Sequence, residues 1–466
     1  MTPRIFLDRT QHSAHSTLLF FPSSGVLCQI LLIQHAPPVT HYHSHIAMHS
    51  ALFSALVALS SLYATASASK YSPEANVLQF ENVGYSGYYY PVSEIEALSD
   101  GNCTCAKDYS KPFTFDGPLA PLNEEMTVHF RGPINLKKFA YYVTSDYKDG
   151  QSNGSWDRLA YYDSESKTAN NVTFLANYGH ENTCLGNAAD YVTSNGLKKA
   201  DEPEILDDTT IPSALEFAIA SSIKCNGTED CGAYRTDGAA YHGFYGVNKM
   251  FLFEFNMPTD DSEEDKKNKT DGYDMPAIWL LNSHILRTSQ YPINPNCSSW
   301  NTGSGEFDIF EVMNYTERNN FYSTIHDFQG TDDIGTGLQD FGYLQRTPNA
   351  TMKGGVIFAE DETITVFLSN STTLDDSIDN SDLSGWLSSL TKSADNKEIK
   401  TTLADITISP PPLTERSTAA IAGGSTSGSV TSVKSSSHKN DAAALGLGSG
   451  SAFAAAVYAI AGLFWL

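Results

Sequence analysis

The sequence predicts an all-β protein with the architecture of a sandwich or jelly roll. Short runs rich in aromatic and β-branched residues recur along the chain, and several alternate between apolar and polar residues. Turns rich in Gly, Asn, Asp and Pro separate these runs, as expected where many short strands pack into layered sheets. In chain order, the runs cover residues 126–130, 140–144, 251–255, 277–281, 322–325 and 363–368.

The length of the chain between its amino-terminal and carboxyl-terminal segments favours two β units rather than one. The span from about residue 70 to about residue 411 is long for a single sandwich. A cluster of Asp, Gly, Ser and Asn at residues 149–155 suggests a boundary. We therefore expect a small β-rich module at residues 70–150 and a larger sandwich at residues 151–411.

The amino-terminal end contains the pattern of a secretory signal peptide. Residues 48–68 begin with Met48, continue through an apolar stretch and end in Ala66-Ser67-Ala68, which has the small-x-small pattern of a cleavage site. Residues 1–47 precede this signal and are interpreted as a spurious or disordered extension. The alternative is a metal-binding arm around His41, His43 and His45, although alternate histidines in an irregular leader fix no ligand geometry.

The carboxyl-terminal end has the pattern of a glycosylphosphatidylinositol (GPI) anchor signal. Residues 441–466 are small and apolar and carry no basic residue at their end. We expect attachment at Asn440, with Ser436 or Ser437 as alternatives. Residues 412–440 are rich in Ser, Thr, Gly and Ala, which is typical of a disordered stalk. The two ends together predict a secreted domain held at the outer surface of the plasma membrane or in the cell wall.

Cysteine usage fits the same oxidising compartment. Without the leader and its Cys28, an even number of cysteines remains, consistent with three disulfides. A local pair between Cys225 and Cys231 is one possibility. Cys103 and Cys105 are separated by a single residue, so each is expected to bond to a cysteine elsewhere in the chain. A zinc site is disfavoured because no paired CxxC knuckles occur. The six cysteines are Cys103, Cys105, Cys184, Cys225, Cys231 and Cys297.

Asn-x-Ser/Thr sequons are frequent, and in a secreted chain they are expected to carry glycans and to lie at the surface. They occur at Asn102, Asn153, Asn171, Asn226, Asn268, Asn296, Asn314, Asn349 and Asn370.

Charge and the absence of motifs exclude several function classes. The formal net charge is -25, so nucleic acid and anionic lipid headgroups are poor partners, whereas a neutral polymer such as glucan is compatible. The sequence contains no Gly-rich phosphate loop, no His-Glu-x-x-His and no Gly-x-Ser-x-Gly motif. No compact loop of oxygen ligands is present either. We therefore expect no cofactor and nominate no metal site.

One strand carries a pattern that is typical of catalysis. Glu306, Asp308 and Glu311 alternate with large apolar residues. In a regular strand Glu306 and Asp308 share a face while Glu311 points the other way, unless a β-bulge inserts one residue between Asp308 and Glu311. With that bulge, the outer two carboxylates can reach the separation of about 5 to 5.5 Å that a retaining glycosidase requires. The alternative is an acid-rich strand at a solvated sheet edge.

These residues resemble a known family. The segment GEFDIFE, residues 305–311, resembles the Glu-x-Asp-x-x-Glu strand of glycoside hydrolase family 16, which contains β-glucanases. Two further segments, ending in Met257-Pro258 and spanning residues 276–281, resemble strands of that family in the same order. The span from residue 80 to residue 411 is also similar to fungal cell-wall proteins called target of SBF. The resemblance implies a concanavalin-like β-jelly roll preceded by a small β-rich module.

The resemblance also implies roles for individual residues. Glu306 would be the nucleophile, Glu311 the acid/base, and Asp308 would hold Glu306 in position. Aromatic side chains would offer flat faces to sugar rings, while an amide and an imidazole would bind hydroxyl groups. A buried tryptophan in a sandwich is as often part of the core, and a lone histidine is usually structural. The candidate substrate-binding residues are Trp279, Trp300, Tyr245, Asn282 and His326.

Three hypotheses about function follow. The first is a retaining endo-β-1,3-glucanase or a glucan transglycosylase that acts on fungal cell-wall glucan. The second is a structural wall protein that binds glucan without cleaving it, and the third is an adhesin.

Overall fold

Two large β-sheets contain most of the strand residues in the structure, which is a computed structural model. It describes residues 72–262, 272–289, 292–329, 331, 333–392 and 397–412 and the backbone of 429–430. All of these residues belong to one compact unit.

The strands are mostly short, as the turn-rich sequence predicts. The first thirteen are β1 (Glu74–Ala75), β2 (Val77–Glu81), β3 (Gly87–Tyr89), β4 (Val92–Ala97), β5 (Cys103–Lys107), β6 (Phe113–Phe115), β7 (Met126–Arg131), β8 (Asn135–Val143), β9 (Ser155–Asp163), β10 (Thr168–Asn170), β11 (Thr173–Ala176), β12 (Glu181–Asn182) and β13 (Gly186–Asn187). The others are β14 (Asp190–Tyr191), β15 (Glu216–Ala220), β16 (Lys249–Asn256), β17 (Ala277–Asn282), β18 (Glu306–Glu311), β19 (Asn320–His326), β20 (Leu338–Gln339), β21 (Tyr343–Gln345), β22 (Met352–Ala359), β23 (Thr363–Leu368), β24 (Ser377–Asp379), β25 (Glu398–Thr402), β26 (Ile408–Ser409) and β27 (Ser429–Val430).

Helices are few in the described residues and lie outside the sheets. They are α1 (Thr228–Cys231), α2 (Ser283–Arg287) and α3 (Asn380–Thr391), with three short 3₁₀ helices at Pro295–Cys297, Trp300–Thr302 and Tyr315–Glu317. No described helix combines the length and the apolar composition that a bilayer-spanning helix requires.

The strands form a front sheet and a back sheet. The front sheet has the order β1-β21-β19-β18-β17-β7-β15-β11-β14, with β20 also paired to β19. The back sheet has the order β10-β9-β8-β16-β22-β23-β2-β25, with β24 also paired to β9. The architecture is an all-β sandwich, and the predicted fold class is confirmed.

Aromatic side chains fill the space between the sheets. Phe307 of the front sheet contacts Phe358 of the back sheet, with ring centroids 5.7 Å apart. Phe130 and Phe253 make a similar edge contact at 6.0 Å. Such edge-to-face pairs add to the free energy gained by burying the rings.

The back sheet is buried on both faces. In β16, Phe251 and Phe253 lie in the core between the sheets, whereas Met250 and Leu252 pack in a second apolar cluster with Trp386 of α3. A strand covered on both sides needs apolar residues at every position. This explains the unbroken apolar run at residues 250–253 of β16.

The residues on the two sides of the expected boundary near residue 150 share the same sheets. β8 pairs with β9 along its length, and β2 lies between β23 and β25. Residues 87–115 differ, because they form two-stranded sheets of their own, β3 with β6 and β4 with β5. These small sheets are the β-rich part that precedes β7.

Several expectations concern residues outside the described part of the chain. They are the extension at 1–47, the signal peptide at 48–68, the stalk beyond residue 412, the anchor signal at 441–466, the attachment site Asn440 and the sequon at Asn268. Of the other sequon asparagines, Asn171 is half-buried and the remainder are exposed.

Candidate active site

A β-bulge in β18 brings three carboxylates to one face of the front sheet. They belong to Glu306, Asp308 and Glu311 and are called the triad below. Asp308 pairs with Thr324 of β19, but Glu311 pairs with Tyr322, so three steps along β18 match two along β19. The same shift appears against β17, where Trp279 pairs with Asp308 and Ile278 pairs with Phe310. The bulge expected from the odd spacing is therefore confirmed.

The bulge also explains the apolar residues of this strand. Ile309 and Phe310 are consecutive, yet both are fully buried in the core between the sheets. With one extra residue on the core side, Glu311 regains the face of Glu306 and Asp308. That outer face continues onto β17 through Ala277, which pairs with Glu311, and Leu281, which pairs with Glu306.

Each carboxylate of the triad has a specific partner. The indole Nε1–H of Trp300 donates a hydrogen bond to Glu306 Oε2. His326 Nε2 lies 3.0 Å from Asp308 Oδ2, and Arg131 Nη2 lies 3.0 Å from Glu311 Oε1. The side chains of Glu311 and Arg131 are about one-fifth exposed, at 20% and 19%, whereas Glu306 and Asp308 are buried. Solvent therefore reaches the site from the Glu311 end.

His326 is held as a cation. Its Nδ1 lies 2.7 Å from the carbonyl oxygen of Ile334, so both ring nitrogens face acceptors and both donate. Burial alone would lower the pKa of His326. The hydrogen bond and charge of Asp308, together with the charge of Glu306, outweigh burial and raise that pKa to about 10. The imidazolium thus holds the middle carboxylate in place.

The two outer glutamates bind protons more tightly than free glutamate does. Burial, followed by repulsion from Asp308, raises the pKa of Glu306 to about 8, against the opposing charge of His326 and the Trp300 hydrogen bond. Burial and the Asp308 charge also raise the pKa of Glu311, against the opposing charge of Arg131. A pair of this kind retains a proton near neutral pH, as an acid/base partnership requires.

Disulfides anchor the segment that carries Trp300. Cys297 lies three residues before Trp300 and bonds to Cys105 of β5, while Cys103 of the same strand bonds to Cys184. The third bond joins Cys225 and Cys231. Trp300 itself packs against the apolar cluster that contains Leu281. The expected three disulfides are present, including the local pair.

The predicted substrate-binding residues do not all lie at the triad. Trp300 and His326 contact it directly, with ring centroids 6.3 Å apart. Trp279 shares its face but is only 4% exposed, and its ring lies 5.3 Å from that of His129. Asn282 is buried as the cap of α2, and Tyr245 lies with it at a neighbouring pocket.

Sequence reasoning missed Arg131, the direct partner of Glu311. β17 lies between β7 and β18, and its residue Ala277 pairs with Arg131 of β7 on one side and with Glu311 of β18 on the other. The available signal was the alternation of Thr127, His129 and Arg131 along β7, which places polar groups on one face. Locating that face beside the triad requires the strand order.

No metal site emerges from the potential ligands in the described residues. Their two close clusters are Cys103, Cys184 and Cys297, and Cys225, Cys231 and His242. Every one of these cysteines is in a disulfide, which removes the thiolate that would bind a metal.

Comparisons with known proteins identify the family. Residues 154–386 match the profile of "Cell wall protein YJL171C/Tos1, C-terminal", and residues 76–144 match the corresponding N-terminal profile. No solved structure matches the chain.

Curated relatives agree with these matches. The chain is 47% identical to the Candida albicans protein named "Probable circularly permuted 1,3-beta-glucanase PGA52" over 361 residues, covering 76% of this chain and 91% of that protein. It is 44% identical to the Saccharomyces cerevisiae protein of the same description named YJL171C, over 73% of this chain and 86% of that protein. For TOS1 of Saccharomyces cerevisiae the identity is 30%, over 67% of this chain and 90% of that protein. This chain therefore belongs to the YJL171C/Tos1 family of cell wall proteins.

Proposed function

We propose that this protein is a retaining endo-β-1,3-glucanase or glucan transglycosylase of the fungal cell wall. The observation that carries the proposal is the bulge in β18, which puts Glu306, Asp308 and Glu311 on one face although five residues separate the outer two. A glucan-binding protein without catalysis has no need for three carboxylates on one face of the sheet. The names of the relatives support glucan as the substrate.

The proposed reaction has two steps with opposite proton movements. In the first step, a Glu306 oxygen attacks the anomeric carbon while Glu311 gives its proton to the departing glycosidic oxygen. The bond to the leaving sugar breaks and a glycosyl ester forms on Glu306. In the second step, Glu311 takes a proton from water or from a sugar hydroxyl, whose oxygen attacks the same carbon and releases Glu306. Water gives hydrolysis, and a sugar hydroxyl gives transglycosylation.

The contacts around the triad support these roles. Burial and Asp308 raise the pKa of Glu306, and the Trp300 hydrogen bond and the charge of His326 oppose that rise, so these two groups favour the carboxylate form that a nucleophile requires. Glu311 is the more exposed of the two outer glutamates, so it can exchange a proton with water after each turnover. Asp308, held by the imidazolium of His326, keeps a negative charge between them and disfavours the simultaneous ionisation of both.

Location is a further part of the proposal. The family description places its members in the cell wall. The signal-like residues 48–68 and the anchor-like residues 441–466 support secretion and GPI attachment at Asn440. The sequons support N-glycosylation. Mass spectrometry of the protein before and after enzymatic removal of N-glycans would test this.

Azide rescue tests the assignment of the two glutamates. Glu306→Ala and Glu311→Ala are each assayed on an aryl β-laminarioside, whose leaving group needs little protonation. With Glu311→Ala, azide should intercept the glycosyl-enzyme and give the β-glycosyl azide. With Glu306→Ala, azide should replace the nucleophile and give the α-glycosyl azide. Wild-type-like glucan cleavage by either variant would contradict the proposal, and glucan binding without new chain ends in the wild type would favour the non-catalytic alternative.

A further inference from the structure

A polar pocket lies near the Glu306 end of the three carboxylates. Its cavity has a volume of about 290 Å³, and its lining includes Glu124, Glu125, Asp230, Tyr245, Asn282 and Arg287. This volume is close to the lower end of the range of small-molecule sites, about 300 Å³.

The register fixes where this pocket lies relative to the carboxylates. Leu281 pairs with Glu306, and the next residue, Asn282, lines the pocket. Asn282 also contacts the residue just before β18, because its backbone N–H donates a hydrogen bond to Gly305 O at 3.0 Å. Paired and consecutive Cα atoms are each about 4 to 5.5 Å apart, so the pocket begins within about 10 Å of Glu306.

The pocket combines an aromatic rim with charged groups that are held in place. Tyr245 is 67% exposed, and its backbone carbonyl accepts a hydrogen bond from Tyr141 at 2.7 Å, which anchors the rim. Glu125 Oε1 lies 2.8 Å from His242 Nδ1, and Arg287 Nη1 donates to Glu125 Oε2 at 3.2 Å. Arg287 and His242 therefore compensate the charge of Glu125, and His242 Nε2 also lies 3.1 Å from Asp230 Oδ2.

Two buried polar atoms among the lining residues lack a partner in the described part of the chain. Glu124 Oε2 accepts from Tyr89 and Asn282, but its Oε1 accepts from no described group. Arg287 is 5% exposed, and its Nε donates to no described acceptor. Buried polar groups are ordinarily satisfied, so one acceptor and one donor at the same pocket indicate a ligand that offers both. Each hydroxyl of a sugar is a donor and an acceptor.

We propose that this pocket is a distal saccharide subsite, which binds the glucan chain beyond Glu306 with one sugar ring against Tyr245. The inference rests on the proposed function, since it assigns the substrate of that site to the pocket. It explains why Tyr245 and Asn282 lie apart from the triad. The ring face of Tyr245 contributes stacking, while Glu124, Glu125 and Arg287 bind hydroxyl groups.

The test uses laminari-oligosaccharides of defined length. Binding of the trisaccharide and the heptasaccharide is measured by calorimetry in the Glu306→Gln background, with and without Tyr245→Ala. We expect Tyr245→Ala to weaken heptasaccharide binding about five- to tenfold and trisaccharide binding much less, because only the longer chain reaches the pocket. Tyr245→Phe keeps the ring face and should bind the heptasaccharide as the parent does.

A control variant and a second wall of the pocket make the result decisive. Phe341→Ala removes another aromatic ring, 65% exposed, that does not line the pocket, and should leave both affinities unchanged. Glu125→Gln should also weaken the heptasaccharide selectively. Equal losses for both lengths, or no loss from Tyr245→Ala and Glu125→Gln, would overturn the subsite even if the wild type cleaves glucan. Failure of the wild type to cleave or bind any laminari-oligosaccharide would instead overturn the proposed function.

Discussion

Replacing Trp300 by Phe should shift the acidic limb of the pH–rate profile to higher pH. The change keeps an aromatic ring against Leu281 but removes the Nε1–H that donates to Glu306. A hydrogen bond to a charged group contributes about 1.5–3 kcal/mol, and one pKa unit corresponds to about 1.36 kcal/mol. The pKa of Glu306 should therefore rise further by about one to two units.

The assay is kcat/KM for a laminari-oligosaccharide as a function of pH, which reports ionisations of the free enzyme. Because the lost hydrogen bond favours the carboxylate, the protonated and inactive form of Glu306 should persist to higher pH. Trp156→Phe is the matched control, because the Trp156 indole is fully buried in the cluster outside the back sheet and its Nε1 has no described partner. An acidic limb that moves equally in both variants, or in neither, would refute the role given to Trp300.

Further variants test Arg131, the disulfide beside Trp300 and the buried Asp340. Arg131→Met removes the cation 3.0 Å from Glu311, so the pKa of Glu311 should rise and the basic limb of kcat/KM should move to higher pH by about one unit; an unmoved basic limb would argue against Glu311 as the acid. Replacing both Cys105 and Cys297 by Ser frees the segment that carries Trp300 and should lower kcat by about tenfold or more, whereas Ser at Cys225 and Cys231 should cost much less; similar losses would separate Trp300 from its disulfide. Burial raises the pKa of Asp340 to about 7, so this group stabilises the fold below about pH 4 and its contribution is lost as the pH rises through 7. Asp340→Asn should therefore show a smaller fall in Tm between pH 4 and pH 8 than the wild type. An equal fall in the two proteins would contradict this.

Local patterns were sufficient to predict several of the longer strands and the bulge. β16 and β17 combine unbroken apolar runs with β-branched and aromatic residues, and this information lies within each segment. The odd spacing from Glu306 to Glu311 required a bulge if all three acids were to share a face, and the buried pair Ile309 and Phe310 supplies it.

Non-local pairing was not predictable in the same way. Arg131 reaches Glu311 only because β7 and β18 both pair with β17, although 180 residues separate the two side chains along the chain. β9 was missed because Asp157, which is exposed, and Arg158, which is half-buried, interrupt its apolar pattern. Likewise, the sequence suggested that Asn282 binds sugar hydroxyls. Its side chain instead donates hydrogen bonds to Glu124, before β7, and Ser304, before β18, and these contacts depend on how distant parts of the chain come together.

Trapping the glycosyl-enzyme tests whether Glu306 is the nucleophile. A 2-deoxy-2-fluoro laminarioside with a good leaving group slows both steps but the second step more, so a retaining enzyme accumulates the covalent ester. We expect a mass increase of one glycosyl unit per chain and peptide mapping of the label to Glu306, with no label in Glu306→Gln. Absence of a covalent adduct under turnover of the natural glucan, or a label on any other residue, would contradict this assignment.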